Sequence, residues 1–189
     1  MDIGKSSYHR FLDGDDEGLT LLIKEYKNGL TLYINSYVCN IYVAEELMQE
    51  TFLKLAVKKP TFKGNSSFKT WLYSIGRNLA IDYLRHNAKI SVLSLEDMEN
   101  YIKDETDIET LYVKTERKIN LHKVLTTLKP EYRQVLWLIY FENFSNDEAA
   151  QIMNKSKKQI SNLIFRAKQS LKLSLDKEGL LYEELSRNC

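Results

Sequence analysis

An all-α fold is what this sequence predicts, with two small helical domains joined by a flexible acidic linker and a helix-turn-helix in the second. Three observations lead there. Glycine and proline are scarce, 7 and 2 among 189 residues, too few for a fold rich in hairpins and long loops. Apolar residues recur three and four apart rather than in alternation, which is the helical period. Charge is partitioned along the chain although the net charge is only +1. The 43% hydrophobic fraction supplies a core. Divided in two, each half is near the size where one core gives only modest stability.

The first domain spans residues 1–88. Leu19, Leu22, Ile23, Tyr26, Leu30 and Tyr33 form one apolar stripe, and Leu47, Met48, Phe52, Leu53 and Leu55 form a second. Pro60 and Gly64 interrupt the helices within KKPTFKGNSS. A third helix runs from Ser67 as N-cap to about His86, its core face including Trp71, Leu72, Ile75, Leu79 and Tyr83. Residues 89–116 differ. From Glu96 to Glu116 there are eight acids against two lysines, and apolar residues lose their period. This is a linker with a transient helix near 108–113, either a solvated spacer or an extended segment that enters a partner's groove.

The second domain spans residues 117–176. Leu121, Val124, Leu125 and Leu128 make a short stripe. Pro130 suits the first turn of a new helix, where its missing N–H costs nothing. Tyr132, Val135, Leu136, Ile139 and Tyr140 continue that helix. Two further helices follow. Ser145 and Glu148 have the spacing of a capping box, and the helix they open ends near Met153. Asn154 tolerates the left-handed backbone of a tight turn, and Ser156 caps the next helix. Ile160, Leu163, Ile164, Ala167 and Leu171 face inward, with small Ala149 and Ala150 allowing close packing. Lys157, Lys158, Ser161, Asn162, Phe165, Arg166 and Gln169 face outward. Residues 177–189 form a tail.

Those two helices have the pattern of a helix-turn-helix, whose second helix puts polar residues into the DNA major groove. The bland alternative is a surface pair with solvated lysines. No Asp or Glu occurs between Ala149 and Leu175, whereas solvated helices usually mix signs to gain pairs one turn apart. A polyanionic partner fits that bias better.

Two stretches of the first domain stand out. AEELMQETFLKL, Ala44 to Leu55, is an amphipathic helix whose outer face carries Glu45, Glu46, Gln49 and Glu50, either solvated or turned to a partner. FKGNSSFKTWLYSIGRNLAIDYLR, Phe62 to Arg85, is a small polar loop followed by a helix with Lys69, Arg77, Asn78 and Arg85. Aromatic Phe62, Phe68, Trp71 and Tyr73 surround the loop. Rings interleaved with cations suit an unstacked single strand, although part of the set must be ordinary core.

No apolar run approaches the roughly 18 residues of a membrane span, and MDIGKSSYHRFLDGDDEG has no signal-peptide core. A cytoplasmic protein without membrane insertion is expected. Cys39 and Cys189 form no metal or redox spacing, and His9, His86 and His122 are isolated, so no metal and no cofactor are expected. There is no Gly-rich phosphate loop and no nucleophile–base set, so no catalytic residue is expected.

In order and spacing the chain resembles the sigma factors of bacterial RNA polymerase, of the compact extracytoplasmic-function group. The resemblance rests on Ala44-Glu45-Glu46-Leu47 with Gln49-Glu50-Thr51-Phe52, on Thr70-Trp71-Leu72, and on Ile75-Gly76-Arg77-Asn78 with Asp82 and Arg85. It continues with Leu128-Lys129-Pro130, Arg133, Asp147-Glu148-Ala149-Ala150 and Arg166-Ala167-Lys168. It implies core RNA polymerase as partner, through the clamp helices of its largest subunit and its flap, with Glu46, Gln49 and Glu50 on the clamp. It implies promoter DNA as the second partner. The loop Phe62, Lys63, Asn65, Ser66 and Ser67 would take a base flipped from the −10 element. Lys69, Arg77, Asn78 and Arg85 would hold the non-template strand. Lys157, Lys158, Gln159, Ser161, Asn162 and Arg166 would read the −35 element. Two domains on an acidic linker also suit clasping by an anti-sigma factor. Extruding a base costs a few kcal/mol, which a pocket with stacking can offset.

The chain departs from the family where Asn154-Lys155 replaces a turn glycine, where Leu163 replaces an arginine, and where Lys158-Gln159 replaces Gly-Thr. The −35 sequence therefore does not carry over. A conventional helix-turn-helix regulator on a duplex operator would explain residues 145–172 equally well, but not the first domain's loop. A helical adaptor that binds polymerase alone would leave the basic helix unused.

Overall fold

A computed structural model of the chain describes residues 2–93 and 124–177. The chain divides into two compact units, Met1–Lys103 and Asp104–Cys189. Among the described residues every regular element is helical. The first unit holds α1 (Ile3–Leu12), α2 (Glu17–Val38), α3 (Ile41–Lys58) and α4 (Phe68–Leu93). The second holds a helical turn at 124–127, α5 (Pro130–Leu136), a π-helical turn (Trp137–Phe141), α6 (Asn146–Met153) and α7 (Lys157–Lys177).

In the first unit the chain reverses between α2 and α3 within two residues. Cys39 takes the left-handed conformation at φ 53° and donates its N–H to the Asn35 carbonyl at 3.0 Å. The Asn40 side chain then accepts the N–H groups of Tyr42 and Val43 and starts α3. So short a turn makes α2 and α3 antiparallel neighbours. Helix α4 packs on α2 at Gly76, where an added Cβ would stand 2.8 Å from Leu30 Cδ1, so a side chain there would force Leu30 to shift. The core between them is Leu22, Leu30, Tyr33, Ile34, Leu55, Phe68, Leu72 and Tyr73. Tyr33 stacks on Tyr73 with centroids 5.4 Å apart, and its hydroxyl meets that of Tyr37 at 2.9 Å.

Leu53, expected in the α3 stripe, is instead 59% exposed. It lies about 100° around the helix from its neighbour Phe52. Leu47, Thr51, Phe52 and Leu55 already define the buried side. Helix α1 was not legible as an element because its buried residues are Gly4, Ser7, Tyr8 and Phe11, two of them small, while Ile3 faces out. Helix α4 runs to Leu93 rather than His86, since HNAKISVL contains neither glycine nor proline to stop it. Residues 89–93, expected in the linker, are thus helical. The rest of the linker, its helix near 108–113, Leu121 and the tail beyond Lys177 lie outside the described residues.

In the second unit Pro130 occupies the first turn of α5 as expected. The helix does not run on regularly to Tyr140. At Trp137–Phe141 it widens into a π turn, where Glu142 donates its N–H five residues back to the Trp137 carbonyl at 3.1 Å. The Trp137 and Phe141 rings stack across this turn at 4.3 Å and 6°. Val124, Leu125, Leu128, Val135, Leu136 and Leu138 form the core with α6 and α7. Arg133 is buried among them and donates from Nη1 to the Thr126 carbonyl at 3.1 Å.

Candidate nucleic-acid interface

The helix-turn-helix is built by local chemistry. Ser145 Oγ accepts the Glu148 N–H at 3.3 Å, and a Glu148 carboxylate oxygen accepts the Ser145 N–H at 3.0 Å. Asn154 ends α6 in the left-handed conformation at φ 52°. A second reciprocal cap opens α7, where Ser156 Oγ accepts the Gln159 N–H at 3.2 Å and Gln159 Oε1 accepts the Ser156 N–H at 2.7 Å. Ile160, Leu163 and Ala167 of α7 are buried, along with Ala149, Ala150, Ile152 and Met153 of α6.

The outward residues of α7 separate into two groups. Lys157 is paired with Asp147 of α6 at 2.8 Å, and Ser161 donates its hydroxyl to the Lys157 carbonyl at 3.1 Å. The side-chain amide oxygen of Gln159 belongs to the cap. These three have structural partners, so the six expected readers are not equivalent. Lys158, Asn162 and Arg166 are exposed, stand four residues apart on one line, and have no partner among the described residues. Phe165, 62% exposed, and Gln169 flank that line. Of the other cations, Lys155 is paired with Glu131 at 2.9 Å, and Lys168 lies 5.2 Å from the Tyr140 ring centroid.

In the first unit the loop between α3 and α4 starts where Lys59 turns left-handed at φ 42°, and it contains Gly64 at φ 73°. Lys63 and Asn65 are exposed at its tip, with no partner among the described residues. The serines are engaged: Ser67 Oγ accepts the Thr70 N–H at 3.2 Å and lies 2.7 Å from Thr70 Oγ1, while Ser66 donates to the Ser67 carbonyl at 3.2 Å. Phe62 is half-buried, with its ring 5.6 Å from Phe68 and 5.2 Å from Trp71.

Helix α4 divides its cations between the two flanks of its buried stripe. Trp71, Asn78 and Arg85 recur every seven residues and share one flank, which continues from Phe62 of the loop. Arg85 has a weak exposed contact with Asp82 at 3.7 Å, and Asn78 Oδ1 accepts from Arg77 at 3.2 Å. Lys69, Tyr73 and Arg77 recur every four residues on the other flank, with the Lys69 ammonium 5.5 Å from the Tyr73 ring centroid. The four α4 residues therefore do not form one continuous strip.

On α3, Glu46, Gln49 and Glu50 are exposed together, with Glu50 only loosely paired to Lys54 at 3.8 Å. Tyr42, Leu53 and Val57 extend the same face; Val57 is 72% exposed. Apolar side chains thus flank an acidic and amide centre on the exposed side of α3.

Residues 22–90 match the sigma-70 region 2 family and residues 118–171 the sigma-70 region 4 family, together covering well over half of the chain. The chain belongs to the extracytoplasmic-function sigma factors. Among its relatives are the sigma factor SigM of Bacillus subtilis, 29% identical over 78% of this chain and 88% of that protein, and SigV of the same organism, 29% identical over 86% and 93%. YlaC, also of Bacillus subtilis, is 27% identical over 82% of this chain and 91% of its own length. The fold is that of RpoE from Bartonella quintana, solved with the anti-sigma factor NepR, at a TM-score of 0.68, 23% identity, and coverage of 83% and 96%. It is likewise that of CnrH, solved with the cytosolic domain of CnrY, at a TM-score of 0.66, 20% identity, and coverage of 93% and 99%. A conventional regulator is not favoured, because region 2 accounts for the first unit.

Helix α1 of this sigma factor precedes the region 2 match, and sequence reasoning assigned it nothing. Yet the Tyr8 hydroxyl donates to the Pro60 carbonyl at 2.7 Å, and Tyr8 packs on Phe68 and Trp71 with centroids 5.4 and 5.5 Å away. Burial pushes the Tyr8 phenol up to about 12, so it remains a donor. Lys5 reaches the loop tip, its ammonium 4.0 Å from where a Cβ on Gly64 would stand. No local period could have signalled these contacts. Among the described residues no helix is long and apolar enough to cross a membrane, and no cluster of metal-ligating side chains occurs.

Proposed function

We infer that this sigma factor acts in the cytoplasm by joining core RNA polymerase and bringing it to promoters, where it reads a −35 element as duplex and holds the −10 element as an opened strand. What supports this reading is the presence on one chain of two differently built polar and basic surfaces. One is a loop of exposed polar residues bordered by rings and cations, suited to an unstacked base. The other is a basic line on a doubly capped helix-turn-helix, suited to a major groove.

In this reading residues 1–88, with α4 extending to Leu93, form the polymerase and −10 domain. Residues 89–116 form the linker, 117–176 the −35 domain and 177–189 a tail. Glu46, Gln49 and Glu50, extended by Leu53, dock on the polymerase clamp. Lys63 and Asn65 meet the flipped base or its phosphate, with Phe62 as the ring beneath and Lys5 as an added cation. Ser66 and Ser67 shape the loop rather than read from it. Asn78 and Arg85 continue the strand along one flank of α4, while Lys69 and Arg77 offer cations on the other. Lys158, Asn162 and Arg166 read the −35 element, with Lys157, Gln159 and Ser161 holding that helix in place. The factor contributes no catalytic group and supplies binding energy alone. An anti-sigma factor, of the kind solved with RpoE, would hold it inactive.

The test is co-elution of the purified chain with bacterial core polymerase in gel filtration, followed by run-off transcription on host DNA. A stoichiometric complex with new promoter-specific transcripts is expected. Salt-sensitive binding to duplex DNA by the chain alone, without co-elution, would overturn the reading.

A further inference from the structure

Helix α1 lies behind the loop that the proposed function gives to the flipped base. It holds that loop at both ends. At the entrance, the Tyr8 hydroxyl donates to the Pro60 carbonyl at 2.7 Å. At the exit, Asp2 Oδ2 accepts the Phe68 N–H, the first of α4, at 2.8 Å. The other oxygen of the same carboxylate caps α1 itself, accepting the Lys5 N–H at 3.1 Å. Gly4 seals the contact, since a Cβ there would stand 2.6 Å from Phe68 Cδ1 and 2.7 Å from the Tyr26 hydroxyl. Between the two fixed ends run Phe62 to Ser67. Among them the Phe62 ring packs on Phe68 and Trp71, the same two rings on which Tyr8 packs.

We propose that α1 is a positioning element for strand capture: Tyr8 and Asp2 fix the two ends of the 60–67 loop so that its base-binding shape exists before DNA arrives. The physical reason is entropic. A loop of this length closed only by its own residues samples many conformations, and ordering it on binding would subtract from the energy available to hold an extruded base. Two hydrogen bonds from a neighbouring helix remove that ordering from the binding step. Neither residue has to touch DNA. The proposal rests on the loop being the base-capture site.

The gentlest test is Tyr8→Phe, which keeps the ring and its packing and removes only the hydroxyl. Asp2→Asn is the second variant, since an amide oxygen can serve one helix start but not both. Each full-length variant is assembled with core polymerase. Opening is followed by 2-aminopurine fluorescence in the −10 region of a duplex promoter selected from a randomised library by the wild-type holoenzyme. The loop variant Asn65→Ala is measured alone and combined with each. The expected result is opening slowed about fivefold by either variant, the weight of one hydrogen bond, with core-polymerase affinity unchanged. Combined with Asn65→Ala, neither should slow opening further, because a loop that no longer captures the base gains nothing from being held. Wild-type opening by Tyr8→Phe and Asp2→Asn, beside an impaired Asn65→Ala, would overturn the proposal and leave the loop assignment standing. Fully additive losses would place the effect elsewhere and overturn it also. Normal opening by all three would remove the loop assignment itself.

Discussion

The carboxylate of Asp2 accepts the backbone N–H of Phe68, 66 residues away in the chain, at 2.8 Å. It simultaneously caps its own helix through Lys5. One side chain thus satisfies orphan donors at the start of two helices, α1 and α4. Capping groups of this kind are each worth about 0.5–2 kcal/mol. Asp2→Ala should therefore lower the urea unfolding free energy of the first unit by about 1–3 kcal/mol, and Asp2→Asn by about half as much. Equal stability of Asp2→Ala and wild type would mean that water replaces both bonds at no cost.

Tyrosine titration should limit the alkaline stability of the same unit. Burial pushes Tyr8 up to about 12, and burial followed by the Asp2 and Glu25 carboxylates pushes Tyr26 up to about 12, from an ordinary value of 10.0. Folded-state values above unfolded ones mean that the unfolded chain loses its protons first. The stabilisation is whole below pH 10 and is lost as pH rises toward about 12. Chemical denaturation at a series of pH values should show this fall, and Tyr8→Phe should make it shallower. An unchanged slope in that variant would place the titration elsewhere.

The exposure of Leu53 separates two kinds of effect. A buried leucine truncated to alanine costs about 2–5 kcal/mol, whereas an exposed one changes stability within about 0.5 kcal/mol. At 59% exposure, Leu53→Ala should leave the thermal midpoint nearly unchanged while weakening core-polymerase binding, as Gln49→Ala with Glu50→Ala should. Fluorescence anisotropy against core polymerase measures the second quantity. A destabilised Leu53→Ala with normal polymerase affinity would return this residue to the core.

Cations on α7 should differ by their partners. Lys158 has none among the described residues, while Lys157 is paired with Asp147 at 2.8 Å. Holoenzyme affinity for −35 duplex DNA should fall linearly with the logarithm of salt, and Lys158→Ala should reduce that slope by about 1. Lys157→Ala should reduce it less and should loosen the helix pair. Lys158→Glu with Arg166→Glu should abolish −35 dependence. Identical slopes for the two single variants would make the internal ion pair irrelevant to DNA binding.

What could be read from the sequence was what is local. The Ser145–Glu148 cap, left-handed Asn154, Pro130 at a first turn and the alternation of faces on α7 all depend on residues within a turn or two of each other. The features that escaped depend on distance. Tyr8 meets Pro60 across 52 residues, and α1 hides its inner side behind Gly4 and Ser7. Leu53 is apolar yet exposed, because apolar identity alone does not fix burial and the helical angle sets it about 100° from Phe52. Residue type groups Gln159 and Lys157 with Lys158, Asn162 and Arg166 as candidate DNA readers; that a cap and an ion pair engage the first two depends on three-dimensional placement.

The π turn at Trp137–Phe141 adds a consequence of its own. A wide turn is a helix that has taken in one residue more than its path requires, without breaking. The end of that helix is shifted by one residue, about 100°, relative to an uninterrupted one. Phe144, buried with its N–H donated to the Leu138 carbonyl at 2.9 Å, ties the chain back to this turn, and the Ser145 cap follows at once. The aim of the helix-turn-helix within its own domain is thus governed by a surplus of one residue some distance upstream. Removing a single residue between 137 and 141 should leave Lys158, Asn162 and Arg166 intact and re-aim all three together.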